Sequence, residues 1–338
     1  MDNQFNRYSR QMLFTPIGNE GQEKLLNSRV LVVGVGALGT VIANHLVRSG
    51  IGYVRLIDRD YVEASNLQRQ MLFDEQDVHD STPKAVAAEK KLRLINSDVT
   101  IEGIVGDVNL DNIHNLLDGI DLVLDGTDNF KTRFLLNDAC FKRGIPFAYG
   151  GAVSARGMSA LFIPGQTPCL RCFIQQGDGQ GQTCDTIGVI SPVVDLVSSY
   201  QVVEALKYLV EDFQALRSTL RTFDIWNNHQ FDMKFSAPKK DCPTCQLKKY
   251  PALSEMEDEV TTLCGRETVQ IKRHQKNDLK EWAERLHPIA EVKTTPFLLR
   301  VQLQEGERLV IFPDGRILIQ GTDDITRARS LYSKYIGD

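Results

Sequence analysis

The sequence predicts an α/β fold, in which a Rossmann-like, mostly parallel sheet with flanking helices is followed by a small C-terminal α+β domain. Residues 29–58 form a strand–turn–helix–strand pattern, with a buried apolar strand before a glycine-rich turn. Short apolar strands then alternate with helical segments up to residue 210, which is typical of parallel sheets. After residue 266 the pattern changes to short alternating strands, and Asp314-Gly315 gives a hairpin turn signal.

The glycine-rich turn fits the spacing G-x-G-x-x-G through Gly34, Gly36 and Gly39. Glycines permit a tight turn and let a phosphate approach the N–H groups at a helix N-terminus. Asp58 ends the second strand nineteen residues after Gly39, where an acid that binds ribose is expected. The pattern therefore predicts nucleotide binding, but alone it does not separate NAD from ATP.

Composition excludes several classes of protein. A chain of 338 residues predicts one large and one small domain. The net charge of -5 and the absence of a basic tract argue against nucleic-acid binding. No apolar run approaches the roughly 20 residues of a membrane span, and the first residues are too polar for a signal peptide. We therefore expect a cytoplasmic protein, whose seven cysteines are metal ligands, nucleophiles or buried thiols rather than disulfides.

Basic and amide side chains follow the predicted ribose-binding strand. Asn66 and Arg69 lie in the polar loop after Asp58, at the end of the sheet where ligands bind. Lys84 falls in the first turn of a helix, where its charge opposes the helix dipole. Phosphate binding would account for that position, although a solvated lysine is the alternative. These groups suit a triphosphate better than a nicotinamide.

Two further groups have open alternatives. Asp128 or Asn129 can cap the helix predicted over 130–143, and Asp128 can also hold Mg²⁺ against phosphate oxygens. The two roles are compatible if Asn129 is the cap. Near the start of the chain, Arg7 and Arg10 are either solvated or one of them binds a phosphate through its guanidinium fork.

Two Cys-x-x-Cys pairs predict a structural zinc site. Their spacing fits a Cys₄ site, although two unrelated reduced pairs are the alternative. Because 69 residues separate the pairs, the metal would tie two distant loops together. Four thiolates leave no open position, so such a zinc would not be catalytic. The ligands would be Cys169, Cys172, Cys242 and Cys245.

Cys184 lies between these pairs in the glycine-rich, polar stretch 175–188. An exposed cysteine there is a candidate nucleophile, and a cysteine that only packs is the alternative. The predicted domains are 1–250, which binds ATP and holds the zinc site, a linker over 251–265, and an α+β domain over 266–338. We assign no role to the last domain, which lacks a cysteine for sulfur transfer.

These motifs together resemble those of the ThiF/MoeB/HesA family, the bacterial relatives of the ubiquitin-activating enzymes. The resemblance runs from about residue 7 to residue 245 and does not include the C-terminal domain, which is not the rhodanese domain that some relatives carry. The matching residues, in order, are Arg7-Tyr8-Ser9-Arg10-Gln11, Gly34 to Gly39, Asp58, Ser65 to Gln70, Pro83-Lys84, Thr127-Asp128-Asn129 and the two cysteine pairs.

The resemblance implies a homodimer that uses ATP to adenylate the C-terminal glycine of a ubiquitin-like sulfur carrier such as ThiS or MoaD. A sulfur donor, such as a cysteine desulfurase, would then convert the adenylate to a thiocarboxylate for thiamine or molybdopterin biosynthesis. By the same resemblance, Asp58 holds the ribose, while Asn66, Arg69 and Lys84 hold the triphosphate. Asp128 binds Mg²⁺, and Arg10 reaches the nucleotide of the other subunit. Cys184 matches a thiol of the family's crossover loop.

Two other functions fit part of the sequence. The glycine turn and Asp58 also suit an NAD-dependent oxidoreductase, and zinc and nucleotide could stabilise a non-enzymatic binding module. The set formed by Asn66, Arg69, Lys84 and Asp128 favours adenylation, since a dinucleotide does not need it.

Overall fold

The computed structural model describes residues 3–174, 187–254, 260–263, 267–273 and 275–337. The chain divides into two compact units, Met1–Glu255 and Met256–Asp338. Cys184, Cys264 and the acidic stretch 255–259 lie outside the described residues. Within 251–265, the predicted linker, the structure places a 3₁₀ helix, Pro251–Leu253, and a strand, Val260–Leu263.

The first unit is built on an eight-stranded sheet of order β3-β2-β1-β4-β5-β6-β7-β8. The pairs from β3 to β5 are parallel, and those from β5 to β8 are antiparallel. The predicted α/β class with a mostly parallel sheet is thereby confirmed. The strands are β1 Arg29–Val33, β2 Tyr53–Asp58, β3 Thr100–Val105, β4 Leu122–Asp125, β5 Phe147–Val153, β6 Arg156–Phe162, β7 Thr219–Asp224 and β8 His229–Lys234.

Helices cover both faces of this sheet, because its central strands are apolar on both sides. Helices α3, α5 and α8 enclose one hydrophobic core, and α6 and α7 enclose the other. None of the described helices combines the length and apolar character needed to cross a bilayer. The helices are α1 Ser9–Met12, α2 Gly18–Asn27, α3 Ala37–Ser49, α4 Glu75–His79, α5 Lys84–Ile95, α6 Ile113–Leu116, α7 Phe130–Arg143 and α8 Ser191–Leu209.

The structure differs from the sequence-based expectation at β5 and β6. From the sequence alone, Gly150, Gly151 and Gly157 indicate breaks between a strand over 146–149 and a strand over 158–163. All three glycines lie inside strands instead. A Cβ atom on Gly150 would lie 2.2 Å from Oε1 of Gln201, and one on Gly157 would lie 2.4 Å from Cζ of Phe223. These glycines are therefore places where other side chains approach the sheet, rather than turns.

The second unit is an antiparallel sheet of order β11-β12-β13-β14-β10-β9 with two helices. Its core includes Trp282, Leu286, Leu331 and Tyr335 from the helices, packed on one face of the strands. The elements are β9 Val260–Leu263, β10 Thr268–Lys272, β11 Glu291–Thr294, β12 Leu299–Gln302, β13 Arg308–Ile311, β14 Arg316–Gln320, α9 Leu279–Leu286 and α10 Ile325–Tyr335.

Three glycines bring β1, α3 and the end of β4 into backbone contact. Gly34 has a φ of +84°, a conformation that favours glycine. A Cβ atom on Gly39 would lie 1.9 Å from the carbonyl oxygen of Gly34, and one on Gly126 would lie 2.3 Å from the same oxygen. No larger residue fits at Gly39 or Gly126 unless the backbone moves.

The substitution Gly39→Ala tests this packing. Because the obstacle is backbone, which cannot turn aside, we expect a loss of about 3 kcal/mol in the free energy of unfolding, at the upper end of overpacking costs. Urea unfolding followed by circular dichroism measures the loss. Gly106→Ala is the control, since a Cβ atom there meets nothing within 4 Å. Equal urea midpoints for the two variants would contradict the packing argument.

Candidate nucleotide site and four-cysteine centre

The predicted nucleotide site lies where the strand order reverses. β1 lies between β2 and β4 in the sheet. The chain runs from β1 to β2 on one side and from β4 to β5 on the other, so the two connections diverge between β1 and β4. Ligands of open α/β sheets bind in the crevice at the carboxyl ends of such strands. The glycine turn follows β1 there, and the turn 126–129 follows β4.

Asp58 joins the glycine turn to the end of β2. Its Oδ2 accepts a hydrogen bond from the backbone N–H of Val35 at 2.6 Å, and its Oδ1 accepts one from the N–H of Asp60 at 2.7 Å. Burial, with the charge of Asp60, raises the pKa of Asp58 above its ordinary value, and Lys84 counteracts the shift. Each oxygen keeps a lone pair that can accept from ribose hydroxyls.

Lys84 is a buried cation next to Asp58. Its side chain is only 4% exposed, and its Nζ lies 3.3 Å from Oδ2 of Asp60. The backbone N–H of Lys84 donates to the carbonyl oxygen of Asp60 at 2.9 Å. Asp60 therefore links the expected ribose acid to the expected phosphate cation, although the sequence reasoning gave Asp60 no role.

Asn66 and Arg69 lie in a turn beside the glycine loop. Asn66 is buried, and its side-chain Oδ1 accepts from the backbone N–H of Glu63 at 3.0 Å. Its backbone carbonyl oxygen accepts from the backbone N–H of Arg69 at 3.1 Å. Arg69 donates to the carbonyl oxygen of Ser65 at 2.9 Å. The next residue, Gln70, has its Nε2 3.8 Å from where a Cβ on Gly36 would be, so this turn borders the glycine loop.

The turn after β4 presents Asp128 to solvent. Asn129 caps α7, since its side chain accepts from the N–H of Thr132 at 2.9 Å. Asp128 is therefore not needed as the cap, and its side chain is exposed. Its turn contacts the glycine loop through Gly126.

Behind this turn lies a buried ion pair that was not predicted from the sequence. Oδ2 of Asp125 accepts from Nε of Arg133 at 2.9 Å, and the two side chains are 0% and 7% exposed. Burial raises the pKa of Asp125, while the guanidinium of Arg133 counteracts this. The one signal available was a carboxylate at the end of an apolar strand, followed by an arginine on the next helix.

Arg10 lies far from this site within one chain. Tyr8, two residues earlier, is buried against Gly50 at the C-terminal end of α3 and accepts a hydrogen bond from Asn96. The glycine turn is at the other end of α3, and 13 helical residues span about 20 Å. Arg10 itself is exposed.

The four predicted metal ligands form one cluster. Their sulfur atoms all lie within 4.8 Å of one another. Sγ of Cys169 lies 3.5 Å from Sγ of Cys242, and Sγ of Cys172 lies 3.5 Å from Sγ of Cys245. The cluster could hold a metal ion. The closeness of the four sulfur atoms favours one shared site over two unrelated cysteine pairs.

Asp138, a buried residue of α7, ties together the loops that carry these cysteines. Its carboxylate accepts from both Nε and Nη2 of Arg171 at 2.9 Å, from the hydroxyl of Thr244, and from the backbone N–H of Ala252 at 2.9 Å. Arg171 lies between the first cysteines and Thr244 between the second. Helix α7 thus positions both halves of the centre.

Comparison with known proteins agrees with this geometry. The ThiF family profile matches residues 8–244. The sulfur carrier protein ThiS adenylyltransferase of Bacillus subtilis is 46% identical over 336 residues, which cover 98% of this chain and 99% of that protein. The molybdopterin-synthase adenylyltransferase of Salmonella typhimurium is 34% identical over 72% of this chain and 97% of its own length.

Solved structures share the fold. A crystal structure of Escherichia coli MccB with ATP aligns with a TM-score of 0.63 and 24% identity, over 71% of this chain and 74% of that one. The profile match and the two adenylyltransferase relatives confirm the predicted family: this chain belongs to the ThiF family.

Proposed function

We propose that this chain is an adenylyltransferase that uses ATP to activate the C-terminal glycine of a ubiquitin-like sulfur carrier of the ThiS type. The observation that carries the proposal is the buried Lys84 beside Asp58 and the glycine turn. The choice of a ThiS-type carrier rests on the Bacillus subtilis relative, whose alignment spans nearly the whole of both chains. A MoaD-type carrier is the alternative that the assay below distinguishes.

The chemistry requires charge and positioning more than a base. The glycine carboxylate attacks the α-phosphorus of ATP, the bond from that phosphorus to the bridging oxygen breaks, and pyrophosphate leaves. The nucleophile is already ionised, so no proton has to be removed. Cations that stabilise the developing negative charge therefore supply the catalysis.

Different side chains around the glycine turn would bind the ribose and the phosphates. Asp58 would accept from the ribose hydroxyls, and backbone N–H groups of the glycine turn would meet the phosphates. Lys84 and Arg69 would neutralise phosphate charge, and Asn66 would hold the turn that carries Arg69. Lys84 is paired with Asp60 when no nucleotide is bound. On nucleotide binding it would leave Asp60 and pair with a phosphate, so its charge would have a partner in both states.

Asp128 fits a magnesium ion. Mg²⁺ is usually held by one or two carboxylates together with substrate phosphates. Asp128 offers an exposed carboxylate on a turn that contacts the glycine loop. The ion would supply positive charge to the triphosphate.

The four-cysteine centre fits zinc. Tetrahedral Zn–S bonds of about 2.3 Å place sulfur atoms roughly 3.8 Å apart, close to the spacing of the cluster. Four thiolates would fill the coordination sphere, so the ion would be structural. It would hold the loops 169–172 and 242–245 together.

We also propose a homodimer, in which Arg10 acts on the nucleotide of the other subunit. The distance of about 20 Å along α3 favours this over a contact within one chain. A cysteine desulfurase would supply sulfur to the adenylate. The cysteines that the structure describes form no disulfides. This suits a reducing compartment, and we propose that the reaction takes place in the cytoplasm.

ATP–pyrophosphate exchange tests the proposal. With a ThiS-type carrier we expect exchange, and with the same carrier lacking its C-terminal glycine we expect none. Lys84→Ala should lower kcat/KM for exchange by about 10²–10³, the usual cost of losing a group that stabilises transition-state charge. Lys90→Ala, an exposed lysine of the same helix, is the control and should leave the rate unchanged.

Absence of exchange with ThiS-type and MoaD-type carriers alike would overturn the proposal. Wild-type rates in Lys84→Ala would remove Lys84 from the mechanism, whereas ATP binding without any exchange would favour a non-enzymatic nucleotide-binding module. Reduction of NAD by the chain would favour a dehydrogenase.

Zinc content tests the four-cysteine centre. We expect one zinc ion per chain, and we expect the double variant Cys172→Ala, Cys245→Ala to lose it and to unfold at a lower temperature, because the loops lose their link. Elemental analysis and thermal unfolding measure the two effects. Cys140→Ala, a buried cysteine outside the cluster, should keep its zinc. Full zinc content in the double variant would refute the assignment.

Mixing two inactive variants tests the role of Arg10. Arg10→Ala and Lys84→Ala should each retain no more than a few per cent of the wild-type exchange rate alone. After reversible dissociation of an equal mixture, half of the dimers carry one intact site, so exchange should recover to about a quarter of the wild-type rate in a two-fold symmetric dimer. No recovery from folded, mixed subunits would place Arg10 outside the partner's site.

A further inference from the structure

The ion pair of Asp125 and Arg133 lies directly behind the turn that carries Asp128. Nη2 of Arg133 donates to the carbonyl oxygen of Thr127 at 2.7 Å and to that of Gly150 at 2.9 Å. Its Nε donates to Asp125. One guanidinium therefore connects the end of β4, the following turn and the strand β5.

The same pair holds Thr127 from both sides. Oδ1 of Asp125 accepts from the backbone N–H of Thr127 at 2.9 Å and from its hydroxyl at 2.6 Å. With the bond from Arg133 to the carbonyl oxygen, every polar group of Thr127 is engaged. Gly126, on the other side, is already against Gly34. The turn has little freedom to shift, and Asp128 is its next residue.

The guanidinium is fixed by its surroundings. Arg133 lies over the rings of Phe130 and Tyr149, at 5.1 and 5.2 Å from their centroids. Lysine could not replace it, because an ammonium group lacks the planar fork that reaches three acceptors in fixed directions. A requirement for stability alone does not explain the pair, since well-packed apolar residues often stabilise an interior as well as buried ions do.

We propose that Asp125 and Arg133 are positioning residues, which hold the turn 126–128 so that the carboxylate of Asp128 meets the metal-bound triphosphate. This rests on the proposed function, because it assumes a nucleotide with Mg²⁺ at Asp128. The pair itself does not touch the substrate. We expect the pair to act through the position of Asp128, and therefore on the magnesium-dependent part of nucleotide binding.

Calorimetric titration of Arg133→Lys with α,β-methylene ATP tests this, since the analogue cannot be cleaved at the α-phosphorus. In the presence of Mg²⁺ we expect an affinity about tenfold weaker than in the wild type, because the metal-binding carboxylate is misplaced. In the presence of EDTA the affinity should be unchanged. In exchange assays, the Mg²⁺ concentration that gives half the maximal rate should rise by a similar factor.

Arg221→Lys is the matched control. It makes the same replacement in a two-bonded ion pair with Asp232 on β7 and β8, at 2.8 and 2.7 Å, away from the glycine turn. This variant should show wild-type magnesium dependence. Circular dichroism establishes that both variants are folded.

If Arg133→Lys does not fold, Thr127→Val replaces it. That substitution keeps the shape and removes only the hydroxyl bond to Asp125, and it should weaken magnesium-dependent binding about threefold. Wild-type magnesium dependence in a folded Arg133→Lys, or in Thr127→Val where that substitute is used, would overturn the inference. An equal loss with and without Mg²⁺ would also overturn it, since it would indicate a general distortion. Failure of the wild type to exchange pyrophosphate with any carrier would instead refute the proposed function.

Discussion

The close approach of three backbone segments at Gly34 is the constraint on which the candidate nucleotide site depends. The carbonyl oxygen of Gly34 leaves no room for a side chain at Gly39 or Gly126. Helix α3 can therefore begin against the end of β1, and the turn after β4 can lie against both. This contact places the N-terminus of α3, the acid at the end of β2 and the turn of Asp128 around one crevice.

Periodicity predicted most of the first unit, because its buried strands and amphipathic helices carry strong local signals. It did not predict β8, an edge strand whose residues are nearly all exposed. Nor did it place Gly150 and Gly157 inside strands, because that depends on Gln201 and Phe223, which are distant in sequence. The sequence of 109–117 favours one helix over its whole length, but the helix is only Ile113–Leu116, because Asn109 and Asn112 hydrogen-bond each other in a turn before it.

Motif spacing indicated the candidate site residues better than it indicated the residues that hold them in place. The four cysteines and the Asp58–Lys84 neighbourhood follow from short, recognisable patterns. Asp60, Asp138 and the pair of Asp125 and Arg133 do not, because a buried carboxylate becomes recognisable only when its distant partners are known. These supporting groups are nevertheless what gives the motif residues their geometry.

The anchoring of Tyr8 against Gly50 has a further consequence for how such an enzyme would behave in solution. It fixes the start of the chain at the end of α3 opposite the glycine turn, so a solitary chain cannot bring its own Arg10 to its own nucleotide. If that arginine is essential, then specific activity becomes a function of protein concentration, and dilution below the dissociation constant of the dimer silences the enzyme by mass action alone.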